Sequence, residues 1–428
     1  MSTIGILAGG GRLPLMIAES VTARGGRVHI VAIDGEADRA IDRFPHTWVN
    51  WGQIGRMVAA LRKAGCRQIV IAGGVKRPDL RKVRPDIGFF ASLPRLVGFL
   101  AGGDDSVLTR VVRFFEQKGF DVRGAHQVAP DLLAGAGRMG SVELSEQGRA
   151  DARLGFAVRS ALGPLDAGQA VVIAQGRVLA VEGAEGTDAM LQRVAALPGR
   201  SLAAVRSGVL AKGPKPGQEL RVDMPAIGPR TVERAAAVHL EGIAVEADAV
   251  LILDRADALE AADASGCAIE GLMGGACTPR PSSEGAPLGK LVRVIGRHRP
   301  GRRDAADIGK GLAVCASLAP FATGGAVVVS RAYILAIEAG EGVPAMLERV
   351  GALRQWGLKG KRRVGVLVRR IDAAGGDGPD LRALLGLAAA QGLAGVAAVG
   401  PAAAVAAYEG AARLADELGL FVVTCDAA

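Results

Sequence analysis

The amino-acid sequence predicts an α/β protein with a Rossmann-like parallel-sheet N-terminal domain, followed by an α/β domain and a diverged tandem copy of it. Short apolar runs alternate with helical patterns along the first 125 residues, an order that requires a parallel sheet with crossover helices. Half of the 428 residues are apolar and only 4% are aromatic, which suits close packing of helices on sheets. A sequence repeat at an offset of 156 residues predicts the third domain.

The N-terminal domain, residues 1–135, alternates strands and helices in a regular order. Strands are predicted over residues 3–8, 27–33, 68–72 and 121–125, and helices over residues 13–23, 53–63 and 104–117. A parallel sheet binds its ligands at the carboxyl ends of its strands. The residues that follow those ends are therefore candidates for substrate binding, namely Gly9, Gly10, Gly11, Asp34 and the pair Gly73-Gly74.

The glycines of the first turn indicate a nucleotide site. Backbone N–H groups of such a turn can hold a phosphate at the start of the next helix, and Asp34 stands where an acid would bind a ribose. The chain has Pro14 where the dinucleotide fingerprint requires a glycine, so a nucleotide other than NAD is favoured. A tight turn without a ligand is the alternative.

Two further loops of this domain carry charge. Lys76 and Arg77 follow a predicted strand, where they could either meet phosphates or form a solvated turn. Asp104 and Asp105 open a predicted helix. One of these carboxylates is a typical N-cap, and the other could bind a hard divalent cation through its oxygen atoms.

Phenylalanines are concentrated between these loops. Residues 89–120 contain six of the ten phenylalanines of the chain. This concentration indicates a surface for acyl chains or for a membrane around residues 87–100. A core helix interrupted at Pro94 is the alternative interpretation.

The second domain, residues 145–275, contains the most constrained stretch of the chain, residues 212–231. Four prolines and three glycines exclude a helix there and restrict the loop to few backbone shapes. Within it, residues 220–224 are predicted to be extended, so that Arg221 and Asp223 point to one face. A rigid carboxylate suits a catalytic or metal-binding site, although a crossover loop with a solvated aspartate fits as well.

Acidic residues also gather upstream of this loop. A predicted hairpin turns at Gln175-Gly176, and Glu182, Glu185 and Asp188 follow it at the start of a helix. Thr187 or Asp188 could cap that helix, which is the structural interpretation of the cluster. The functional interpretation is an acidic metal site.

The excess positive charge lies largely in a predicted linker, residues 276–306. The formal net charge is +9, and this segment holds seven basic residues against two acidic ones among prolines, serines and glycines. No basic face interleaved with aromatic residues occurs elsewhere, so nucleic acid is not an expected partner. A solvated tether or a segment attracted to anionic lipid headgroups is favoured.

The third domain, residues 307–428, repeats the second. Between residues 180–194 and 336–350, nine of the 15 positions are identical, among them Glu185 with Glu341. The loop with Asp223 has no counterpart, because a glycine- and alanine-rich segment replaces it. We expect a degenerate copy that packs against residues 151–275 as a pseudo-symmetric pair and does no chemistry.

The composition also indicates the compartment. No signal-peptide pattern and no run of 18 apolar residues occur, and the five cysteines are too scattered for a metal site or a disulfide framework. We therefore expect a cytoplasmic protein with free thiols. The five histidines form no pattern of a di-metal phosphatase.

Several motifs together resemble one family. The segments AGGGRLP, GGVKRP, GDDSVL, VEGAEGTDAML and PKPGQELRVDMPAIGP occur in this order and are similar to the LpxI family, the UDP-2,3-diacylglucosamine pyrophosphatases of lipid A biosynthesis. The resemblance implies hydrolysis of UDP-2,3-diacylglucosamine to UMP and 2,3-diacylglucosamine 1-phosphate, with a divalent metal such as Mg²⁺. It also implies a cleft between two α/β domains and an essential aspartate that matches Asp223.

The chain contains the types of residue that hydrolysis of a diphosphate requires. Cleavage of a diphosphate requires charge neutralisation at the phosphoryl oxygens and an oriented water. Asp223 could bind the metal or orient the water. The other candidates are Asp105, Glu182 and Glu185 as metal ligands, and Lys76, Arg77, Arg221 and Thr187 on the substrate.

The expected partners follow from the same resemblance. The substrate is a membrane lipid, so we expect peripheral contact with the inner membrane, and a homo-oligomer is possible. Two other classes stay open at this point: a nucleotide-dependent oxidoreductase, and a non-catalytic scaffold that binds nucleotide or lipid.

Overall fold

The computed structural model describes residues 3–74, 86, 104–200, 205–273, 291–353, 363–371, 381–401 and 406–426. The chain divides into two compact units. The N-terminal unit comprises Met1–Ala136, Gln218–Pro229 and Ala247–Leu259, and the C-terminal unit comprises Gly137–Gly217, Arg230–Glu246 and Glu260–Ala428. The segment with Asp223 therefore belongs to the N-terminal unit, although the sequence places it within the second domain.

The N-terminal unit contains a five-stranded parallel sheet in the order β3-β2-β1-β4-β5. Its elements are β1 Thr3–Ala8, α1 Leu13–Ala23, β2 Arg27–Ile33, β3 His46–Val49, α2 Ile54–Lys63, β4 Cys66–Ala72, α3 Asp104–Gln117, β5 Asp121–Arg123 and α4 Ala125–Val128. This order confirms the predicted Rossmann-like domain. Strand β3 was not predicted, because only Val49 of its four residues is buried and the apolar alternation is lost.

Two apolar cores cover the faces of this sheet. Ile6 and α1 contribute to one core, and the adjacent Leu7 contributes to the other, as expected when successive side chains point to opposite faces. Phe114, Phe115 and Phe120 pack in the second core and are at most 7% exposed. These three phenylalanines are therefore core residues rather than a surface for acyl chains.

The first α/β copy contains a six-stranded mixed sheet in the order β6-β13-β11-β9-β7-β8. The elements are β6 Gly137–Arg138, α5 Glu146–Leu162, β7 Ala170–Ala174, β8 Arg177–Val181, α6 Thr187–Ala195, β9 Val209–Lys212, β10 Ala226–Ile227, α7 Pro229–Ala237, β11 Gly242–Glu246, β12 Leu251–Ile252, α8 Arg255–Ser265 and β13 Ala268–Leu272. Strands β10 and β12 pair with each other in parallel and lie in the N-terminal unit.

The second copy has a six-stranded sheet of the same design, in the order β14-β19-β18-β17-β15-β16. The elements are β14 Leu291–Ile295, α9 Arg302–Leu318, β15 Ala326–Ser330, β16 Tyr333–Ile337, α10 Gly342–Leu353, β17 Val366–Arg370, α11 Leu381–Ala390, β18 Gly395–Gly400, α12 Ala412–Leu418 and β19 Phe421–Asp426. Parallel and antiparallel pairs follow each other in the same sequence as in the first copy. The described part of this copy contains no strands equivalent to β10 and β12.

The predicted linker is shorter than expected. Residues 291–295 form the edge strand β14, which pairs antiparallel with β19, and α9 begins at Arg302. Part of the basic segment is therefore folded. The sequence did not reveal this strand because LVRVI is a single short apolar run between prolines and glycines.

A buried aspartate makes the same hydrogen bonds in each of the two copies. Asp151 accepts hydrogen bonds of 2.8 Å from both backbone N–H groups of turn residues 175–176. Asp307 does the same for residues 331–332, at 2.9 and 2.7 Å. All four turn residues have positive φ angles, the conformation of a tight hairpin turn. The aspartate is therefore retained in both copies for the turn.

The two copies share one apolar core within the C-terminal unit. Val158, Leu162 and Val181 of the first copy belong to the same cluster as Val314 and Leu318 of the second. Helices α5 and α9 are in contact. The expected packing of the third domain against the second as a pair is thus observed. Among the described residues, no helix is long and apolar enough to cross a membrane.

Candidate functional site

Asp223 lies in a turn, and not in the predicted extended run. The backbone N–H groups of Val222 and Asp223 both donate to the carbonyl oxygen of Glu219, at 3.1 and 3.0 Å. These local bonds close the chain on itself, so the alternation of a strand does not apply to Arg221 and Asp223. The prediction of an extended segment was wrong, because a run of mixed apolar and charged residues does not reveal hydrogen bonds to a carbonyl three and four residues back.

The turn is anchored on both sides of Asp223. Val222 packs against the core that contains Phe114 and Phe115, and Met224 packs against the other core of the same sheet. Beyond them, the carbonyl oxygen of Pro225 accepts a 2.9 Å bond from the backbone of Leu251, and β10 pairs with β12. The backbone at Asp223 is therefore held by buried contacts at each neighbour.

The carboxylate of Asp223 is oriented by one amide. Gln218 donates from Nε2 to Oδ2 of Asp223 at 2.5 Å, and Gln218 itself is only 8% exposed. Asp223 is half-buried. Its second oxygen, Oδ1, accepts no hydrogen bond from the described residues. Sequence analysis missed Gln218, because nothing in a loop sequence shows which amide meets a carboxylate five residues later.

Arg221 binds two carboxylates. Its Nε and Nη2 atoms each lie 2.7 Å from the carboxylate of Glu219, and Nη1 lies 2.7 Å from Glu116 on α3. The hydrogen bonds from Arg221 lower the pKa of Glu219, and those to Glu219 raise the pKa of Arg221. A predicted substrate-binding residue is thus engaged in fixing the loop to α3.

The same loop also approaches the carboxyl end of β5 closely. A side chain at Gly124 would come within 3.2 Å of the Arg221 Cα and would overlap the ring of His126. A side chain at this strand end would therefore displace the His126 ring and crowd the loop. The approach places the loop at the edge of the sheet where ligands of parallel sheets bind.

The two glycine loops of the N-terminal unit bind each other. The N–H groups of Gly9 and Gly10 donate to the carbonyl oxygens of Ala72 and Gly74, at 2.9 and 2.6 Å. A side chain at Gly9 would lie 2.6 Å from the Gly74 oxygen. Two of the three predicted phosphate-binding N–H groups are therefore used within the protein. Gly11, with φ of +87° and open space around it, is the open end of this turn.

Asp34 follows β2 as predicted and is largely exposed. Its backbone N–H donates to Val49, and its carboxylate is 3.4 Å from Arg39. The position at a strand end is compatible with ribose binding.

A second polar cluster lies in the C-terminal unit. The hydroxyl of Thr187 donates to Oε1 of Glu182 at 3.1 Å and accepts from Nζ of Lys212 at 2.9 Å. Glu182, Thr187 and Lys212 are each less than 10% exposed. Thr187 is the first residue of α6, and Lys212 is the last residue of β9. Sequence analysis placed Lys212 only at the start of the proline-rich stretch 212–231.

Burial dominates the electrostatics of this cluster. It raises the pKa of Glu182, an effect opposed by Lys212 and by the hydroxyl of Thr187. Oε2 of Glu182 has no hydrogen-bond partner among the described residues. A carboxyl with a raised pKa is a weaker metal ligand than an ionised one.

Arg159 ties the start of the proline-rich loop to the sheet. It donates from Nη2 to the carbonyl oxygen of Pro214 at 2.6 Å and from Nε to that of Gln169 at 3.1 Å. Burial lowers the pKa of Arg159. A side chain at Gly213 would lie 2.7 Å from this guanidinium, so a larger residue would push the guanidinium aside.

Glu185 is engaged elsewhere. Its carboxylate lies 2.7 Å from Arg193 and 3.6 Å from Arg349 of the second copy, and it is 5% exposed. The charge of Glu185 adds to the effect of burial in raising the pKa of Glu182. Its ion pairs give Glu185 a role in the contact between the copies.

The remaining predicted residues can be placed only in part. Lys76, Arg77 and residues 87–100 lie outside the described residues, as does the side chain of Asp105. Within the described ranges, no group of three histidine, cysteine, aspartate or glutamate residues is arranged to hold a metal ion.

Comparisons with known proteins match most of the chain. The family model of the LpxI N-terminal domain matches residues 3–132, and the model of the LpxI C-terminal domain matches twice, over residues 135–270 and 292–423. The UDP-2,3-diacylglucosamine pyrophosphatase LpxI of Caulobacter vibrioides is 42% identical over 274 residues, which cover 64% of this chain and 98% of that protein.

A solved structure was also compared with the chain. The murein peptide ligase Mpl of Psychrobacter arcticus is 12% identical, with coverage of 100% of this chain and 91% of the ligase, and the TM-score is 0.20. This likeness is too low to support an argument.

Proposed function

This chain belongs to the LpxI family, and from that premise we propose that it is a UDP-2,3-diacylglucosamine pyrophosphatase of lipid A biosynthesis. It would hydrolyse the diphosphate to release UMP and 2,3-diacylglucosamine 1-phosphate. The observation that carries the proposal is the 42% identity to the Caulobacter vibrioides enzyme over 98% of its length. At this coverage both domains of that enzyme have counterparts here.

We assign Asp223 the central catalytic role. Hydrolysis of a diphosphate requires a water held in line with the leaving oxygen. A carboxylate that is displaced by about 1 Å can cost about a hundredfold in rate. The buried contacts of Val222 and Met224 and the amide of Gln218 keep Asp223 in one position. Oδ1 of Asp223 would receive the water or a cation.

We propose Mg²⁺ as the cofactor. Magnesium is commonly held by one or two carboxylates together with waters and substrate phosphates. Asp223, whose Oδ1 accepts no hydrogen bond from the described residues, fits such a site, and Asp105 is the candidate for a second ligand. When bound, the ion neutralises charge on the phosphoryl oxygens. The raised pKa of Glu182 and the ion pairs of Glu185 make both of them weaker candidates than Asp223.

The other predicted residues receive substrate-binding roles in this proposal. The open turn at Gly11 and the exposed carboxylate of Asp34 would bind the uridine nucleotide. Thr187 and Lys212 offer a hydroxyl and an ammonium group to the polar part of the lipid product. Glu182 would position both, because it accepts the hydrogen bond of Thr187, whose hydroxyl in turn accepts from Lys212.

The membrane is the expected location of the substrate. Two acyl chains keep UDP-2,3-diacylglucosamine in a bilayer, so the protein would act at the inner-membrane surface. Sedimentation with vesicles that contain anionic lipid tests this contact. We expect more bound protein at low salt than at high salt, because screening weakens attraction by basic residues.

The direct test is a product analysis. Purified protein is incubated with UDP-2,3-diacylglucosamine and Mg²⁺. The nucleotides and lipids are then separated, and mass spectrometry identifies and quantifies them. We expect UMP and 2,3-diacylglucosamine 1-phosphate in equal amounts, and little turnover of UDP-N-acetylglucosamine, which lacks the acyl chains. Release of UDP, or no hydrolysis with or without added Mg²⁺ and Mn²⁺, would contradict the proposed reaction.

A further inference from the structure

The contact between the two copies is reciprocal. The N–H of Ala184 donates to the carbonyl oxygen of Leu335 at 3.2 Å, and the N–H of Gly340 donates to that of Leu179 at 3.1 Å. Ala184 and Gly340 occupy equivalent positions in the repeat, as do Leu179 and Leu335. The two hydrogen bonds are therefore one contact made in both directions, which is the property of a twofold interface.

Four charged side chains repeat this symmetry. Arg193 lies 2.7 Å from Glu185 of its own copy and 3.1 Å from Glu341 of the other. Arg349 lies 2.7 Å from Glu341 of its own copy and 3.6 Å from Glu185 of the other. All four side chains are less than 20% exposed. Removal of one of these buried charged side chains leaves its partners uncompensated and strongly destabilises the protein.

The apolar part of the contact consists of equivalent residues. Leu162 of the first copy and Leu318 of the second belong to the shared core, as do Val158 and Val314. Each copy therefore presents nearly the same surface to the other. By contrast, the second copy has Val343 in place of Thr187 and Cys315 in place of Arg159, although Glu338 matches Glu182 and Arg369 matches Lys212. The contact surface has been retained, whereas the polar cluster has lost its hydroxyl.

From this reciprocity we propose that the surface formed by Leu179, Ala184, Glu185 and Arg193, with Val158 and Leu162 beneath, is a self-association surface. The second copy occupies on the first the place of the C-terminal domain of another molecule. The first copies of two molecules could therefore pair with each other through this surface. Arg193 of each molecule would then lie next to Glu185 of the other. The full chain is then a monomer with a dimer interface inside it.

The proposal is tested by removing the second copy. The full chain and a chain that ends at Gly275 are compared by light scattering and analytical ultracentrifugation at micromolar concentration. We expect the mass of one chain for the full protein and of two chains for the truncated one. A truncated chain that is folded by circular dichroism and remains a monomer overturns the proposal.

Charge exchange supplies the matched control. In the truncated chain, Arg193→Glu places like charges across the interface and should give a monomer. The double change Arg193→Glu with Glu185→Arg restores opposite charges in both directions and should give the dimer again. Dimers in all three cases would show that a different surface associates, and this also overturns the proposal.

Variants of the full-length chain test the proposal if the truncated chain does not fold. The double change Glu341→Arg with Arg349→Glu preserves the pair within the second copy and creates like charges across the contact. The charges of each copy are then complementary only to those of the same copy in another molecule, so we expect dimers. Adding Glu185→Arg and Arg193→Glu restores the internal match and the monomer. A double variant that stays monomeric overturns the proposal.

Discussion

Asp223 offers the sharpest test of the proposed hydrolysis at the scale of one residue. Asp223→Asn removes the charge and preserves the size of the side chain, so the anchored loop should persist. We expect kcat to fall at least about a hundredfold, because a carboxylate that acts in the transition state cannot be replaced by an amide. The unfolding midpoint should change by no more than a few degrees. Near-normal kcat in a folded variant would remove Asp223 from the mechanism.

Gln218→Glu is the companion change. It places a second carboxylate beside Oδ2 of Asp223, which now accepts from the amide at 2.5 Å. Like charges at this distance disfavour ionisation of one partner. We therefore expect kcat to fall and its pH profile to shift toward higher pH, while Gln218→Ala lowers kcat without that shift. Identical pH profiles for the two variants would contradict the orienting role of the amide.

Glu182 makes stability depend on pH. Burial raises its pKa above the usual value of 4.5, so the folded protein holds a proton that the unfolded chain releases. The stabilisation is complete below the usual pKa and is lost as pH rises through the raised one. Glu182→Gln should flatten this decline. Urea unfolding between pH 4 and pH 8 measures the slope, and equal slopes for the variant and the natural protein would contradict the assignment.

The loop from Gln218 to Pro229 shows how an element can be positioned by charge. Arg221 connects it to Glu116 on α3, but both side chains are at least one third exposed, so the ion pair contributes only about 0–1 kcal/mol to stability. Glu116→Gln should therefore leave the unfolding midpoint nearly unchanged. We expect kcat to fall several-fold with an unchanged KM, since the looser loop misplaces Asp223. A change in KM alone would indicate a binding role instead.

Most of the helices and strands could be predicted because their signals are local. The hairpin at Gln175-Gly176 has an apolar strand on each side, and β1, β2, α1 and α3 have the predicted bounds. The turn at Leu220–Val222 could not be predicted in this way. Its shape depends on Glu219 and on two cores that lie far away in the sequence, and no local pattern encodes such contacts.

At the scale of the whole molecule, the repeat could be predicted from the sequence. The division of the chain segments between the two compact units could not. Nine identities in 15 positions indicate a duplication without any structure. By contrast, Gln218–Pro229 and Ala247–Leu259 join the N-terminal unit through β10, β12 and apolar contacts of Met224. Those two segments are also where the second copy lacks equivalent strands among its described residues. The first copy has therefore kept the segments that reach the N-terminal sheet.

This asymmetry predicts which copy supports catalysis, and the chain itself offers the substitutions. Thr187→Val introduces the residue that the second copy has at the equivalent position, Val343. It leaves Lys212 and Glu182 without their shared hydroxyl, a loss that costs about 1–3 kcal/mol for a buried polar group. We expect turnover of UDP-2,3-diacylglucosamine by the folded variant to fall about tenfold or more. The reverse change, Val343→Thr, should leave turnover unaltered, because the second copy has Cys315 in place of Arg159. Steady-state kinetics of both variants, with circular dichroism to confirm folding, decide the matter. A loss of activity in Val343→Thr at full folding would mean that the second copy contributes groups to the reaction.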